Sequence, residues 1–328
     1  MLPLLSAHEE LAARVLPPDV HAWAAGGAGA QATLDEAQRA WAAVRLRPRV
    51  LRDVSCVDTS LVLLGRRLAT PVLVGPTALH GLVHPGAEPA TARGARAAGS
   101  LHVVSTRSST PLEQVGADPW WLQVYVLRDR SRTLDLVQRA AAAGAGALVL
   151  TGDTPYVGAK RGAAPPGVAQ PEELRQDPSV GLEAIAWLAR HSGLPVLVKG
   201  VLRGDDARAC VDAGAAGVVV SNHGGRQLDR ALSTARALPE VAAAVPPGVP
   251  VLVDGGLRSG LDVLCALALG ATAVLLGRPV LWALSFAGAR GVEACLRAVT
   301  EDLSAAMALA GAADLSQVSA DLVAGDAR

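Results

Sequence analysis

Gly217-Val218-Val219-Val220-Ser221-Asn222-His223-Gly224-Gly225-Arg226 is the stretch on which the reading of this chain turns. A short Val-rich run, unbroken by any polar residue, passes straight into a polar segment rich in glycine. Such a run predicts a strand buried on both faces, as in a parallel sheet. The groups that follow then sit at the C-terminal tip of that strand, where α/β proteins place ligand-binding chemistry.

The same theme recurs on both sides. Short apolar runs occur at 71–75, 101–105, 121–125, 147–151, 195–199, 217–221, 250–254 and 273–276. Ala-rich amphipathic patterns lie between them, among them 87–98, 132–143, 182–191, 205–213 and 260–269. Each of these ends near a glycine (Gly99, Gly144, Gly193, Gly214, Gly270), as a helix C-terminus should. Eight such β–α units predict a (β/α)₈ TIM barrel, since the competing doubly wound open sheet usually has fewer strands. The whole chain, 1–328, reads as a single domain. Residues 1–70 form an N-terminal helical cap of two or three helices with a short hairpin near Val62–Leu68. Residues 71–281 form the barrel, and 282–328 form C-terminal helices. The connection 157–180 is rich in Pro, Gly and Ala and lacks periodicity, so it is a candidate mobile lid after the fourth strand. Gly26–Gly29 follows no strand and reads as a loop or helix end, not a dinucleotide fingerprint.

Composition narrows the function. The chain has 30 Lys+Arg against 30 Asp+Glu, which gives no basic excess for nucleic acid. No apolar stretch approaches the ~20 residues of a membrane span, and the start lacks a secretion signal. Cys56, Cys210, Cys265 and Cys295 have no metal or redox spacing. They read as reduced thiols of a cytoplasmic protein.

The strand tips carry the chemistry. They present Pro76-Thr77-Ala78, Ser105, Gln123 and Tyr125, Thr151 and Asp153, Lys199, Ser221 with His223 and Arg226, Asp254-Gly255-Gly256 with Arg258, and Gly277-Arg278. An uncompensated buried Lys, Asp or His costs on the order of 2–5 kcal/mol, so a polar ligand in the barrel mouth explains the set better than packing. The Gly-rich tips of strands 7 and 8, each with an arginine, suit a phosphate. Lys199 suits the pyrimidine edge of a flavin, with a salt bridge to Asp153 or Asp254 as its structural alternative. His223 and Arg226, three residues apart, suit a base beside a carboxylate anchor. Asp153 could hold the other imidazole nitrogen. His80 and His84, just after the first strand, could line the pocket, whereas His8, His21, His102 and His191 read as core or surface residues.

The string Ser221-Asn222-His223-Gly224-Gly225-Arg226-Gln227-Leu228-Asp229 resembles the FMN-dependent 2-hydroxy-acid oxidase/dehydrogenase family. Further matches are Arg45-Leu46-Arg47-Pro48-Arg49, Gln123-Val124-Tyr125, Leu150-Thr151-Gly152-Asp153-Thr154-Pro155, Val198-Lys199-Gly200-Val201, Asp254-Gly255-Gly256 and Leu276-Gly277-Arg278-Pro279. Residues 25–29 and 80–85 place the resemblance nearest the mandelate and 4-hydroxymandelate oxidase branch. The resemblance implies FMN-dependent oxidation of an (S)-2-hydroxy acid, with O₂ as acceptor and H₂O₂ as product, by a cytoplasmic homo-oligomer, a tetramer. It implies that His223 abstracts a proton, Asp153 pairs with it, Arg226 binds the carboxylate and Tyr125 hydrogen-bonds the substrate. It assigns FMN contacts to Ala78, Ser105, Gln123, Thr151, Lys199, Arg258, Gly277 and Arg278. Pro76, Thr77, Ser221, Asp254, Gly255 and Gly256 complete the cofactor set from their strand-tip positions.

Several positions depart from the pattern. Trp23 stands where the family has a Tyr that touches the carboxylate, and Lys160-Arg161 stands near a usual carboxylate-binding Arg. Gly152 replaces a usual Val, and the lid is short. A weaker clamp with a Trp wall fits an aryl or bulky substrate. The alternatives are a quinone- or carrier-linked dehydrogenase, an enzyme of a specialised biosynthetic intermediate, an FMN-barrel isomerase, and a non-catalytic flavin binder.

Overall fold

The computed structural model describes residues 5–116, 119–158 and 174–324. Two short strands, β1 (Leu61–Leu63) and β2 (Arg66–Leu68), pair antiparallel as the expected hairpin. Eight more strands follow: β3 (Val72–Val74), β4 (His102–Ser105), β5 (Trp120–Val124), β6 (Leu148–Thr151), β7 (Val196–Val201), β8 (Gly217–Val220), β9 (Val251–Asp254) and β10 (Ala273–Leu276). They close on themselves as a parallel barrel in sequence order, β10 pairing with both β9 and β3. The TIM-barrel expectation holds, strand for strand.

Inward-facing Leu73, Val103, Trp121, Val149, Leu197, Val219, Leu252 and Leu275 form one apolar core with Leu63 and Leu68 of the hairpin. The hairpin therefore seals the N-terminal end of the barrel. The alternate strand residues, such as Val72, Val104, Leu122 and Val218, face outward into a second core shared with the helices. Strands buried on both faces must read as continuous apolar runs, which is why the pattern was visible.

Each barrel strand leads into a helix: α4 (Ala87–Ala97), α5 (Leu112–Val115), α6 (Arg130–Ala142), α7 (Glu183–Ser192), α8 (Gly204–Asp212), α9 (Thr234–Ala244), α10 (Gly260–Ala268) and α11 (Arg278–Ala310). Periodicity does not single out α5 and α9. The first is one turn long, and the second carries Pro239 in its interior. Helix α11 starts directly at the tip of β10 and bends at Gly288. It thus runs through the 281/282 border that separates barrel from terminal helices in the sequence.

Three helices precede the hairpin: α1 (Leu5–Val15), α2 (Pro18–Ala25) and α3 (Ala32–Ala42). Helix α1 packs on α11, and α3 on α9 and the turn at 223–225. The carbonyls of Trp23, Ala24 and Gly26 accept hydrogen bonds from Arg226 and Arg278. The N-terminal segment is thereby bound to the C-terminal mouth of the barrel. Most of the expected lid, 159–173, lies outside the described residues. Its stems are anchored: Gly158 N donates to Gln227 Oε1 at 2.8 Å, and Asp177 N to the Val126 carbonyl at 2.9 Å.

Candidate active site

A cavity opens at the C-terminal mouth, and its floor is a ladder of polar strand tips. Gln123 Nε2 donates to Thr151 Oγ1 at 2.9 Å, and Ser105 Oγ donates to Gln123 Oε1 at 3.2 Å. Lys199 is buried beside them, donating to Ser221 Oγ at 2.7 Å and pairing with Asp254 Oδ2 at 3.0 Å. Burial alone would lower the lysine pKa, but Asp254 and Asp153 outweigh it and raise the value. The ammonium is therefore charged. Lys199 faces the barrel axis because it lies two residues after inward-facing Leu197, and the register between β7 and β8 slips just beyond it, at Gly200. Asp254 Oδ1 is buried and, among the described residues, has no hydrogen-bond partner. A buried acceptor of this kind asks for a donor on a ligand.

One side of the cavity is an anion site. Gly255 and Gly256 have φ of 88° and 85°. A side chain at Gly256 would place its Cβ 2.5 Å from the Ala37 carbonyl oxygen, so the turn admits only glycine. Arg258 follows this turn. Opposite, Gly277 caps the N-terminus of α11, whose first residue is Arg278. Burial, together with the charges of Arg226 and Arg258, pushes the Arg278 pKa down to about 9. Among the described residues none of these three guanidiniums is within ion-pair distance of a carboxylate. Clustered positive charge and a long helix's N-terminus favour a phosphate. An acceptor and donor floor of Gln123, Ser105, Thr151 and Lys199, with this anion site at its side, fits a flat heterocycle carrying a phosphate, as FMN does.

The other side holds a base. His223, Gly224 and Gly225 all have positive φ (59°, 62° and 72°), which turns the chain sharply after β8. Asn222 Oδ1 accepts from Gly225 N, and Ser221 Oγ from His223 N at 3.0 Å, so the turn is tied from within. His223 Nδ1 lies 3.0 Å from Asp153 Oδ1. Burial tends to raise the Asp153 pKa, but the hydrogen bond to His223 and the charges of His223 and Lys199 win, leaving it below the ordinary value. An ionised carboxylate only accepts, so Nδ1 carries a proton, and in the neutral imidazole Nε2 is then the nitrogen with the lone pair. Arg226 stacks over Trp23, its guanidinium carbon 5.4 Å from the ring centroid. Burial raises the Tyr125 hydroxyl pKa, and the nearby Lys199, Arg107 and Arg226 oppose that rise.

The strand tips named from the sequence converge here. Trp23, Pro76, Thr77, Ala78, Ser105, Gln123, Tyr125 and Thr151 line the cavity. So do Lys199, His223, Arg226, Asp254, Gly255, Gly256, Arg258, Gly277 and Arg278. Asp153 and Ser221 act from behind it, through His223 and Lys199. The salt-bridge alternative for Lys199 is also realised, with Asp254, and the residue lines the cavity all the same. Lys160 and Arg161 lie outside the described residues. His80 and His84 do not line the cavity. His80 is fully buried between Thr77 Oγ1 (2.6 Å) and Thr91 Oγ1 (2.8 Å), and His84 packs beside Gly288 of α11. The one-turn 3₁₀ helix 80–82 turns both rings into the helix layer. Arg107 lines the cavity and was not anticipated. It lies two residues beyond Ser105, the last residue of its strand, and a single arginine in a Ser/Thr-rich loop carries no signal of its own.

Comparison with known proteins agrees with this geometry. The model of the family described as FMN-dependent dehydrogenase matches residues 12–177 and 165–325. A 4-hydroxymandelate oxidase of Amycolatopsis orientalis is 44% identical, with 92% of this chain and 93% of the relative covered. An L-lactate oxidase of Alicycliphilus denitrificans is 43% identical, with 96% and 94% covered. A solved mandelate oxidase variant with (S)-mandelic acid superposes with a TM-score of 0.93 at 43% identity, covering 99% of this chain and 98% of the other.

Proposed function

Because the chain belongs to the FMN-dependent dehydrogenase family, we propose that it oxidises an aryl or otherwise bulky (S)-2-hydroxy acid to the 2-oxo acid, with O₂ reduced to H₂O₂. FMN-dependent oxidation of a 2-hydroxy acid follows from the membership itself. The aryl preference, the acceptor and the residue roles are our reading.

The observation that carries it is the His223–Asp153 pair, 3.0 Å apart, in one cavity with Arg226 and Trp23. Arg226 anchors the substrate carboxylate. Its Nη1 is held by the Trp23 and Gly26 carbonyls, so the guanidinium loses little freedom on binding. Tyr125 hydrogen-bonds the substrate oxygen. His223 Nε2 takes one proton, and the Asp153 carboxylate stabilises the imidazolium that results. The substrate gives up two electrons and two protons in all, and O₂ gains both pairs as H₂O₂. Bound FMN supplies the two-electron acceptor between them. Lys199 places positive charge where reduction adds negative charge. Trp23 offers a flat apolar wall in place of a hydroxyl, which favours an aryl side chain. The names of the mandelate-oxidising relatives agree with that preference.

We read 1–328 as one catalytic unit, since the N-terminal segment completes the site through Trp23. Free thiols at 56, 210, 265 and 295 suit the cytoplasm. Val50 (78% exposed), Leu51 (101%) and Leu309 (81%) lie where Arg49 N meets the Ala310 carbonyl. That apolar patch suits self-association, which we take to be a homotetramer. No described helix is long and apolar enough to cross a membrane.

Anaerobic bleaching of the flavin tests the reading. (S)-Mandelate and (S)-4-hydroxymandelate should reduce it faster than lactate or glycolate, and under air should yield one H₂O₂ per 2-oxo acid. Faster reduction by glycolate would overturn the aryl preference. Substrate-reduced flavin that persists under air until a quinone is added would favour the carrier-linked dehydrogenase.

A further inference from the structure

His80 is fully buried behind the tip of β3, and both of its ring nitrogens are occupied. Nε2 lies 2.6 Å from Thr77 Oγ1, and Nδ1 lies 2.8 Å from Thr91 Oγ1 of α4. The residue is held in place. Its backbone N–H donates to the buried Glu88 carboxylate at 3.0 Å, and His102 stacks on its ring with centroids 5.5 Å apart. Glu88 also accepts from Ser109 N at 2.9 Å, which ties the β3 tip to the loop after β4. Burial pushes the imidazole pKa below its ordinary value against the opposing charge of Glu88. The ring is therefore neutral at pH 7 and carries one proton.

Donor counting says which nitrogen carries it. Thr91 is fully buried, and among the described residues its hydroxyl has no hydrogen-bond partner but Nδ1. It makes no bond back along its helix, as Thr300 does to the Leu296 carbonyl. A proton on Nδ1 would leave the Thr91 hydroxyl hydrogen buried without an acceptor, which is costly. The proton therefore belongs on Nε2. Thr91 donates to Nδ1, and Nε2–H donates to Thr77 Oγ1. The hydroxyl hydrogen left over is that of Thr77, and Thr77 lines the cavity. Its Cγ2 lies 3.4 Å from where a Cβ on Gly277 would stand, so the methyl faces the β10 tip while Oγ1 stays on His80. Among the described residues Oγ1 has no acceptor for its own hydrogen.

We propose that His80 is a positioning residue of the cofactor site: held as the Nε2–H tautomer, it makes Thr77 a hydrogen-bond donor to an acceptor atom of FMN. This goes beyond the substrate reading above and needs only that FMN binds.

Nitrogen NMR of holoenzyme isotope-labelled at its histidines reads the tautomer directly. The His80 signals, identified as those missing from His80→Gln, should show a protonated Nε2 and a bare Nδ1. A protonated Nδ1 would overturn the proposal. Quenching of flavin fluorescence by apoprotein reads the consequence. Thr77→Val should weaken FMN binding about tenfold, a difference of about 1.4 kcal/mol. His80→Gln keeps a donor in the Nε2 place and should stay close to wild type. His80→Asn reaches only the Nδ1 place and should lose about as much as Thr77→Val. Equal losses in the Gln and Asn variants would make His80 a packing residue alone and sink the proposal. In a Thr77→Val background the two His80 variants should bind FMN alike, because His80 acts through Thr77. Riboflavin locates the acceptor: the same loss as for FMN places it on the ring or ribityl chain, and a loss for FMN alone places it on the phosphate. Native affinity of Thr77→Val for both would remove the donor altogether. Should the His80 variants fail to fold, Thr77→Ser keeps the hydroxyl, should bind FMN as wild type does, and assigns the His80 signals by shifting them.

Discussion

Gly200 vacates the space that Asp153 fills. A Cβ built on Gly200 would lie 2.6 Å from both Cβ and Cγ of Asp153, and the Gly200 φ is +107°. The glycine at the bulge in β7 thus seats the carboxylate that holds His223. Gly200→Ala should move Asp153 and uncouple it from the imidazole. We expect flavin reduction to slow by about a hundredfold, since a base misplaced by ~1 Å costs that much. The positive φ should add about 1–3 kcal/mol of destabilisation. Stopped-flow reduction and thermal unfolding measure the two effects separately. A Gly200→Ala protein with native kinetics would show that the Asp153 position does not matter.

Removing the base itself should be more severe. His223→Ala should keep FMN and lose about 10²–10⁴-fold in reduction rate. Asp153→Asn should fall between the variant and wild type. Asp153 also links stability to pH. Its folded pKa is depressed, so the carboxylate stabilises the fold above the unfolded value, and that contribution is lost as pH falls through the folded value. Acid titration monitored by circular dichroism should find a weaker stability gain with rising pH below about 4 in Asp153→Asn than in wild type. An identical acid limb in the two proteins would contradict this.

Lys199 and Asp254 form a pair with side chains only 4% and 15% exposed. Breaking one partner strands the other. Lys199→Met should destabilise the protein by about 3–5 kcal/mol, and Lys199→Met with Asp254→Asn by clearly less. Denaturant melts of the apoprotein decide it. A double variant as unstable as the sum of the singles would mean that the two residues do not interact.

Arg278, with a pKa near 9, should make FMN binding sensitive to alkali. Above that value the empty site favours the neutral guanidine, and binding the phosphate must take up a proton. The Kd for FMN should therefore rise with pH above about 9, by up to tenfold per unit, and stay flat below it. Quenching of FMN fluorescence by apoprotein between pH 7.5 and 10 measures this. Arg278→Ala should weaken binding by about 1.5–3 kcal/mol and remove the slope.

The strands, the barrel closure and most of the site were legible because they rest on local pattern. A strand buried on both faces has to be a continuous apolar run, and a catalytic tip has to be polar where that run stops. His223, Lys199 and Arg278 stand out for that reason. Helix α9 follows from the eight β–α units but its bounds do not, since Pro239 disfavours a helix locally while the packing of Leu238 and Val241 holds one. His80 was drawn toward the cavity by its place after β3, and only the 3₁₀ turn and Thr91 show it facing the helix layer.

What the sequence determined by itself is therefore the order of buried runs, the eightfold closure they imply, and the polar groups at their ends. Which of those groups touch was left to the folded chain. Lys199 takes Asp254 where Asp153 was equally allowed, and Arg107 enters a cavity that no periodicity assigns to it. The physical reason is that a strand's direction follows from its own residues, whereas a side chain's partner depends on loops and bulges set by packing among distant segments.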